Sequence, residues 1–277
     1  MKIFIIGAVS LDRYIIVDSF PMDDSMVFAL DTKEFVGAGG ANIAIDLSKH
    51  FDVDFYFGTG DDQLANSLVK ALKASNISVH PFVQTGKSSI SLIILDKSGG
   101  RRIISLGGNA LYNGELSASH YDAVCICETF PDKAKEVFKK INSPLKVYLP
   151  GGCGLYFGVD DIIENANMAD FTLFSGSEAR LLHHRMDEIR TNIIITNASQ
   201  STNYIDKTKK THAFEVPRPS SAIVDTTGAG DAFCAGFIQG YLKTGDVSKA
   251  INSAHAMAGQ IIVKMGANIL EGGIDDA

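Results

Sequence analysis

A chain of 277 residues with 45% hydrophobic and 21% charged side chains can bury a substantial core, so general disorder is excluded. Its net charge of −7, with a pI near 5.5, lacks the basic face that nucleic-acid backbones require, so a general nucleic-acid binder is excluded too. Cys125, Cys127, Cys153 and Cys234 show neither zinc spacing nor disulfide-scaffold density, and no apolar run approaches the ~18 residues of a membrane span; reduced thiols in a cytoplasmic protein are expected.

The apolar run that starts after Lys2 is followed by Asp12 and Arg13 without a cleavage pattern, so residues 3–6 read as a buried first strand rather than a leader. Further apolar runs at 53–57, 123–127, 146–149, 171–174 and 193–196 read as buried strands, and segments 63–74, 132–140, 177–184 and 248–264 read as helices. This alternation predicts an α/β protein: a mostly parallel sheet, helices on both faces, and ligands at the carboxyl ends of the strands. Two stretches break the rhythm. Residues 14–36 and 88–105 alternate polar with apolar side chains, the second around a Lys97-Ser98-Gly99-Gly100 turn, and read as antiparallel hairpins. No repeat or long linker divides the chain, so 1–277 reads as a single domain.

Near the start, Val36-Gly-Ala-Gly-Gly-Ala-Asn42 opens a helix that runs toward His50. The Asp12 carboxylate and Asn42 amide suit paired hydroxyls, and Gly39 and Gly40 let a ring lie against backbone. A dinucleotide-dependent oxidoreductase is disfavoured, because Gly37-x-Gly39 does not directly follow the first strand and lacks a well-placed acid after the next one.

Near the end, Asp225-Thr-Thr-Gly-Ala-Gly-Asp231 turns into a helix whose Ala232, Phe233, Gly236, Phe237, Gly240 and Tyr241 recur at helical spacing. The N–H groups of Gly228, Ala229 and Gly230 stand at a helix start, where the absence of intrahelical partners and the positive end of the dipole favour a phosphate. A carboxylate at 231 would repel that phosphate unless it serves as base for an incoming hydroxyl. The plainer alternative is a tight turn followed by a first-turn acid.

Residues 225–237 resemble the C-terminal signature of the ribokinase/PfkB carbohydrate kinase family, and 36–42 is similar to its N-terminal glycine signature. Gly7 to Asp12 also matches, the order and separation agree, and the likeness spans nearly the whole chain. The resemblance implies a three-layer α/β/α ribokinase-like fold with a small β lid drawn from about 14–36 and 88–105. It implies ATP-dependent phosphoryl transfer to a primary hydroxyl of a small sugar, or alternatively of a nucleoside, with Mg²⁺.

By that likeness Asp231 is the general base beside Gly228, Ala229 and Gly230, while Asp12, Gly39, Gly40 and Asn42, with Asn109 and Glu128, lie near the acceptor. Ser175, Thr196, Ser199, Thr226 and His255 would face the nucleotide, Glu178 would hold Mg²⁺ through water, and Asp225 with Gly266 would belong to a monovalent-cation site for K⁺. A homodimer through the lid is implied, and neither nucleic acid nor membrane is an expected partner. The chain departs from the family pattern with Ala38 for a second glycine, Ser175 for asparagine, and Ala198 and Thr202 for glycines. Those departures keep a non-catalytic sugar-binding protein of the same fold open.

Overall fold

Continuous burial rather than alternation marks the strands of the main sheet: in β1 (Lys2–Ile6) four consecutive residues are buried, and in β9 (Ala123–Cys127) all five are. The computed structural model describes residues 1–219 and 221–268. After β1 the chain forms β2 (Ser10–Val17), β3 (Asp31–Gly37), α1 (Gly39–Ser48), β4 (Asp52–Thr59), α2 (Gln63–Ala74) and β5 (Ser78–Val83). A hairpin of β6 (Ile90–Asp96) and β7 (Arg101–Ser105) follows, then the short β8 (Ser119–His120), β9, α3 (Pro131–Lys140) and the short β10 (Ile141–Asn142). Next come β11 (Lys146–Leu149), α4 (Gly151–Phe157), α5 (Val159–Ala166), β12 (Phe171–Ser175) and α6 (Gly176–Leu182). The chain then runs through β13 (Asn192–Thr196), β14 (Thr202–Ile205), β15 (Thr211–Phe214), α7 (Ala229–Thr244) and α8 (Val247–Ile261).

The main sheet has the order β15-β14-β13-β12-β11-β9-β1-β4-β5, parallel except at one edge, where β14 pairs antiparallel with both β13 and β15. From β1 the chain builds outward to β4 and β5, then returns to the other side at β9. That reversal makes the carboxyl ends of β1 and β9 a topological switch point, the place where an open α/β sheet leaves a crevice. Helices α1, α2, α7 and α8 cover one face, burying Leu47, Leu68, Phe237 and Ile251. Helices α3, α5 and α6 cover the other with Phe138, Ile162 and Leu182. The result is three layers, as the alternation predicts.

The two stretches expected to be hairpins form a separate sheet in the order β3-β2-β6-β7, its hairpins joined by a parallel β2–β6 pairing. The Asp96 carboxylate closes the second turn by accepting from the Ser98 and Gly100 N–H groups, with Gly99 at φ 84. Asp12 lies within β2, opposite Phe35 and Ser91, so the strand begins earlier than the 14–36 stretch expected of the lid. The last helix stops earlier than its periodicity predicts, because the Ile262 carbonyl accepts from the N–H groups of Val224 and Asp225.

Candidate active site

A crossing of two glycines builds the crevice floor. A Cβ on Gly40 would stand 2.7 Å from the Gly7 carbonyl carbon, and one on Gly7 would stand 2.6 Å from the Cys127 carbonyl oxygen, so only glycine lets α1 begin against the ends of β1 and β9. This contact brings Gly39, Glu128 and Asp231 together: a Cβ on Gly39 would lie 3.1 Å from Asp231 Oδ1 and 3.2 Å from Glu128 Oε2. A cavity of about 210 Å³ opens there, with Glu128, Ser175, Glu178, Thr196, Gly230 and Asp231 on its wall. Each stands at the carboxyl end of a strand or in the first turn of a helix.

Asp231 is held from one side. Asn42 Nδ2 donates to its Oδ2 at 2.8 Å, and Asn268 Nδ2 donates to Asn42 Oδ1 at 2.6 Å and to the Val36 carbonyl at 2.8 Å. This chain of amides fixes which end of Asn42 faces the acid. Glu128, at φ 49, accepts from the Gly39 N–H at 2.9 Å, and buried Asp12 accepts from the Ser10 hydroxyl at 2.8 Å.

The three acids share an environment that disfavours charge. Burial, then the charge of Glu128, pushes Asp231 up to about 7 against the opposing Asn42 hydrogen bond. Burial likewise pushes Asp12 up to about 6, opposed by Ser10 and reinforced by the charges of Asp231 and Asp225. Glu128 is raised by burial, against the Gly39 N–H. No lysine or arginine is among the groups that act most strongly on these carboxylates.

Helix α7 begins from Gly228 in the left-handed region, φ 76, without a side-chain cap. Of the three amides expected to face a phosphate, that of Ala229 donates instead to the Thr226 carbonyl at 3.3 Å, because the turn folds back on itself. The N–H groups of Gly228, Gly230 and Asp231 have no acceptor among the described residues.

Ser175 and Glu178 form a reciprocal capping box: the Ser175 N–H donates to Glu178 Oε2 at 2.6 Å, and the Glu178 N–H donates to Ser175 Oγ at 3.3 Å. The serine that departs from the family pattern thus caps α6. Glu178 Oε1 stays outside this box, which suits a water-mediated Mg²⁺. Among the described residues no group of three or more metal-ligating side chains occurs.

Ala38 and Ala198 replace glycines yet keep positive φ, 70 and 51, so both loops retain a glycine-like path at some strain.

Other expected residues lie outside this constellation. The Asn109 amide donates to the Thr85 carbonyl at 3.2 Å and so holds a loop rather than facing the cavity. Ser199 and Thr226 are exposed. His255 is buried, shares a 2.9 Å hydrogen bond with Thr202, and packs edge-on to Phe233 at 5.5 Å. Its Nδ1 has no partner among the described residues, and burial keeps the ring on the neutral side. Asp225 and Gly266 bond to each other, Gly266 N donating to Asp225 Oδ2 at 3.0 Å. Burial raises Asp225, but the Thr227 hydroxyl, the Thr227 and Gly266 N–H groups and the Tyr14 hydroxyl outweigh it and hold the acid low. The sequence reading missed Tyr14 and the orienting role of Asn268, since both act across the whole length of the chain.

The pfkB family carbohydrate kinase pattern matches residues 1–139 and 164–271. The chain belongs to the PfkB family. It is therefore a kinase, a phosphotransferase of the group that acts on sugars and nucleosides. A nucleoside kinase of Methanocaldococcus jannaschii is 23% identical over 262 residues, covering 90% of this chain and 86% of that one. A solved nucleoside kinase structure from the same organism superposes with a TM-score of 0.81 at 21% identity, covering 96% and 93% of the two chains. An ATP-dependent ribose-1-phosphate kinase of Halopiger xanaduensis is 24% identical over 269 residues, with 92% and 90% covered. The ribokinase of Thermotoga maritima superposes with a TM-score of 0.78 at 19% identity, with 96% and 93% covered.

Proposed function

We propose that this PfkB kinase transfers the γ-phosphoryl group of ATP to a primary hydroxyl of a small, uncharged sugar, with Asp231 as the general base. The observation that carries the reading is the Asp231 carboxylate, held by Asn42 beside the unpaired amides that open α7. The acceptor lies on Gly39 and Gly40, with Asp12, Asn42 and Glu128 around its hydroxyls. Asp231 takes the hydroxyl proton as the O–P bond forms, and the N–H groups of Gly228 and Gly230 stabilise charge on the moving phosphoryl oxygens. Glu178 would hold Mg²⁺ through water, and the ion would neutralise part of the phosphate charge. Ser175 and Thr196 line the nucleotide side, with Ser199, Thr226 and His255 further out. The β3-β2-β6-β7 sheet acts as a lid that excludes water. A ribonucleoside is the second reading, supported by the likeness to nucleoside kinases.

Three acids, Asp12 buried and Asp231 and Glu128 half-buried, with no lysine or arginine among the groups that act most strongly on them, also select the acceptor. A ligand charge about 6 Å from one carboxylate, at an effective dielectric constant of about 20, is repelled by roughly 2–3 kcal/mol. A coupled ADP-release screen with Mg²⁺ is expected to show turnover with pentoses, hexoses or nucleosides, and kcat/KM lower by about 10² for the corresponding sugar phosphates. Comparable turnover of ribose and a ribose phosphate would contradict the acceptor class, and ATP consumption independent of every acceptor would contradict the kinase reading.

Because the base acts deprotonated, kcat/KM is expected to rise with pH through about 7. Glu128→Gln removes a raising charge and should move this limb to lower pH. Asn42→Ala removes a lowering hydrogen bond and should move it higher. A flat profile across neutral pH, checked by initial rates in overlapping buffers, would count against Asp231.

A further inference from the structure

The family likeness assigns a monovalent cation to Asp225 and Gly266, but in the described residues every acceptor position of the Asp225 carboxylate is already taken. Oδ1 accepts from the Thr227 N–H at 2.9 Å and from the Thr227 hydroxyl at 2.7 Å. Oδ2 accepts from the Gly266 N–H at 3.0 Å and from the Tyr14 hydroxyl at 2.9 Å. An ionised carboxylate offers about four lone-pair sites, so the acid is saturated. The ring of Phe35 packs against Gly266, its atoms 3.1–3.2 Å from where a Cβ there would stand.

Three of the four donors belong to the two loops themselves. The fourth crosses from β2, where Tyr14 is completely buried with Ile93 and Leu95 and packs edge-on to Phe35 at 5.2 Å. Arg101 of β7 adds a second tie, donating to Thr227 Oγ1 at 2.8 Å. We propose that the Tyr14 hydroxyl supplies at Asp225 the positive pole that a monovalent cation would supply, so that this enzyme holds its phosphoryl-transfer turn without one. Tyr14 is then a positioning residue. It stands two places from Asp12 on the same face of β2, and so ties the acceptor wall to the turn that carries Asp231.

The inference rests on the bonding at Asp225 and needs no particular acceptor. Wild-type enzyme is assayed at constant ionic strength in potassium, sodium or tetramethylammonium chloride, with thermal melts in the same salts. The expected result is kcat and KM within about twofold across the salts, and no K⁺-specific rise in Tm. A tenfold or greater loss of turnover in tetramethylammonium, or a saturable K⁺-specific rise in Tm, would overturn the proposal. The melts need no turnover, so they stand if the acceptor reading fails.

Tyr14→Phe gives the complementary result. The variant is expected to lose turnover about tenfold in tetramethylammonium and to regain most of it in K⁺, chiefly through kcat. Wild-type turnover of the variant in tetramethylammonium would overturn the positioning role, and a loss that K⁺ does not repair would overturn the equivalence of hydroxyl and ion.

Discussion

Asp231→Asn is expected to lower kcat by roughly 10² or more and at the same time to make the folded protein more stable. The first effect follows from loss of the proton acceptor, and ATP affinity should change little because the unpaired amides and the Ser175–Glu178 turn remain. The second follows from the raised acidity constant. Burial and Glu128 carry Asp231 from 3.8 to about 7, so the folded state holds this proton more tightly than the unfolded chain does. Its favourable contribution is complete below about 4 and is lost as pH rises through about 7. Above that range the buried charge costs about 2–4 kcal/mol, which asparagine avoids while still accepting from Asn42. Urea or thermal melts at acid and alkaline pH should show a gap between variant and wild type that opens as pH rises. A variant less stable than wild type at pH 8 would contradict the electrostatic account.

Gly228→Ala is expected to damage both stability and turnover. Residue 228 sits at φ 76, where an L side chain costs about 1–2 kcal/mol. Its Cβ would stand 2.3 Å from the Cβ of Ala267, itself buried, so the turn must move as a unit. We expect a loss of about 2–4 kcal/mol in urea melts, and a fall in kcat of about 10² as the Gly228 and Gly230 amides lose their aim. Gly230→Ala is the internal control. Outside its own helix turn, no described residue comes within 4 Å of a Cβ placed there, so stability should hold. If Gly228→Ala behaved like wild type in both measurements, the turn would not be the device described.

The legible parts of the fold were those whose burial leaves a local pattern. Strands buried on both faces, such as β1, β9 and β11, read as continuous apolar runs, and α2 matches its periodicity to the residue. The edges left weaker signals. β5 buries none of its residues fully and contains Pro81, as an edge strand tolerates, and β14 and β15 are four-residue half-buried strands too short for a convincing alternation. At the site, Asp231, Asn42 and Glu178 stand where a strand or turn meets a helix, and that local chemistry was readable. Tyr14 was not: its partner Asp225 is 211 residues away, and nothing near Tyr14 hints at a buried hydroxyl. The asparagine-to-serine departure at 175 is among those that leave a non-catalytic protein of this fold open; in the structure the serine completes a capping box with Glu178. Composition cannot show that, because the capping box depends on where the helix begins.

The central claim, transfer from ATP to a primary hydroxyl with Asp231 removing the proton, is tested most directly by ³¹P NMR of wild type and Asp231→Asn incubated with Mg²⁺-ATP and the best acceptor. For wild type the account predicts loss of the γ-phosphate resonance and growth of a phosphomonoester split by the protons of one CH₂ group, with almost none in the variant over the same time. The same monoester formed at a comparable rate by Asp231→Asn would contradict it.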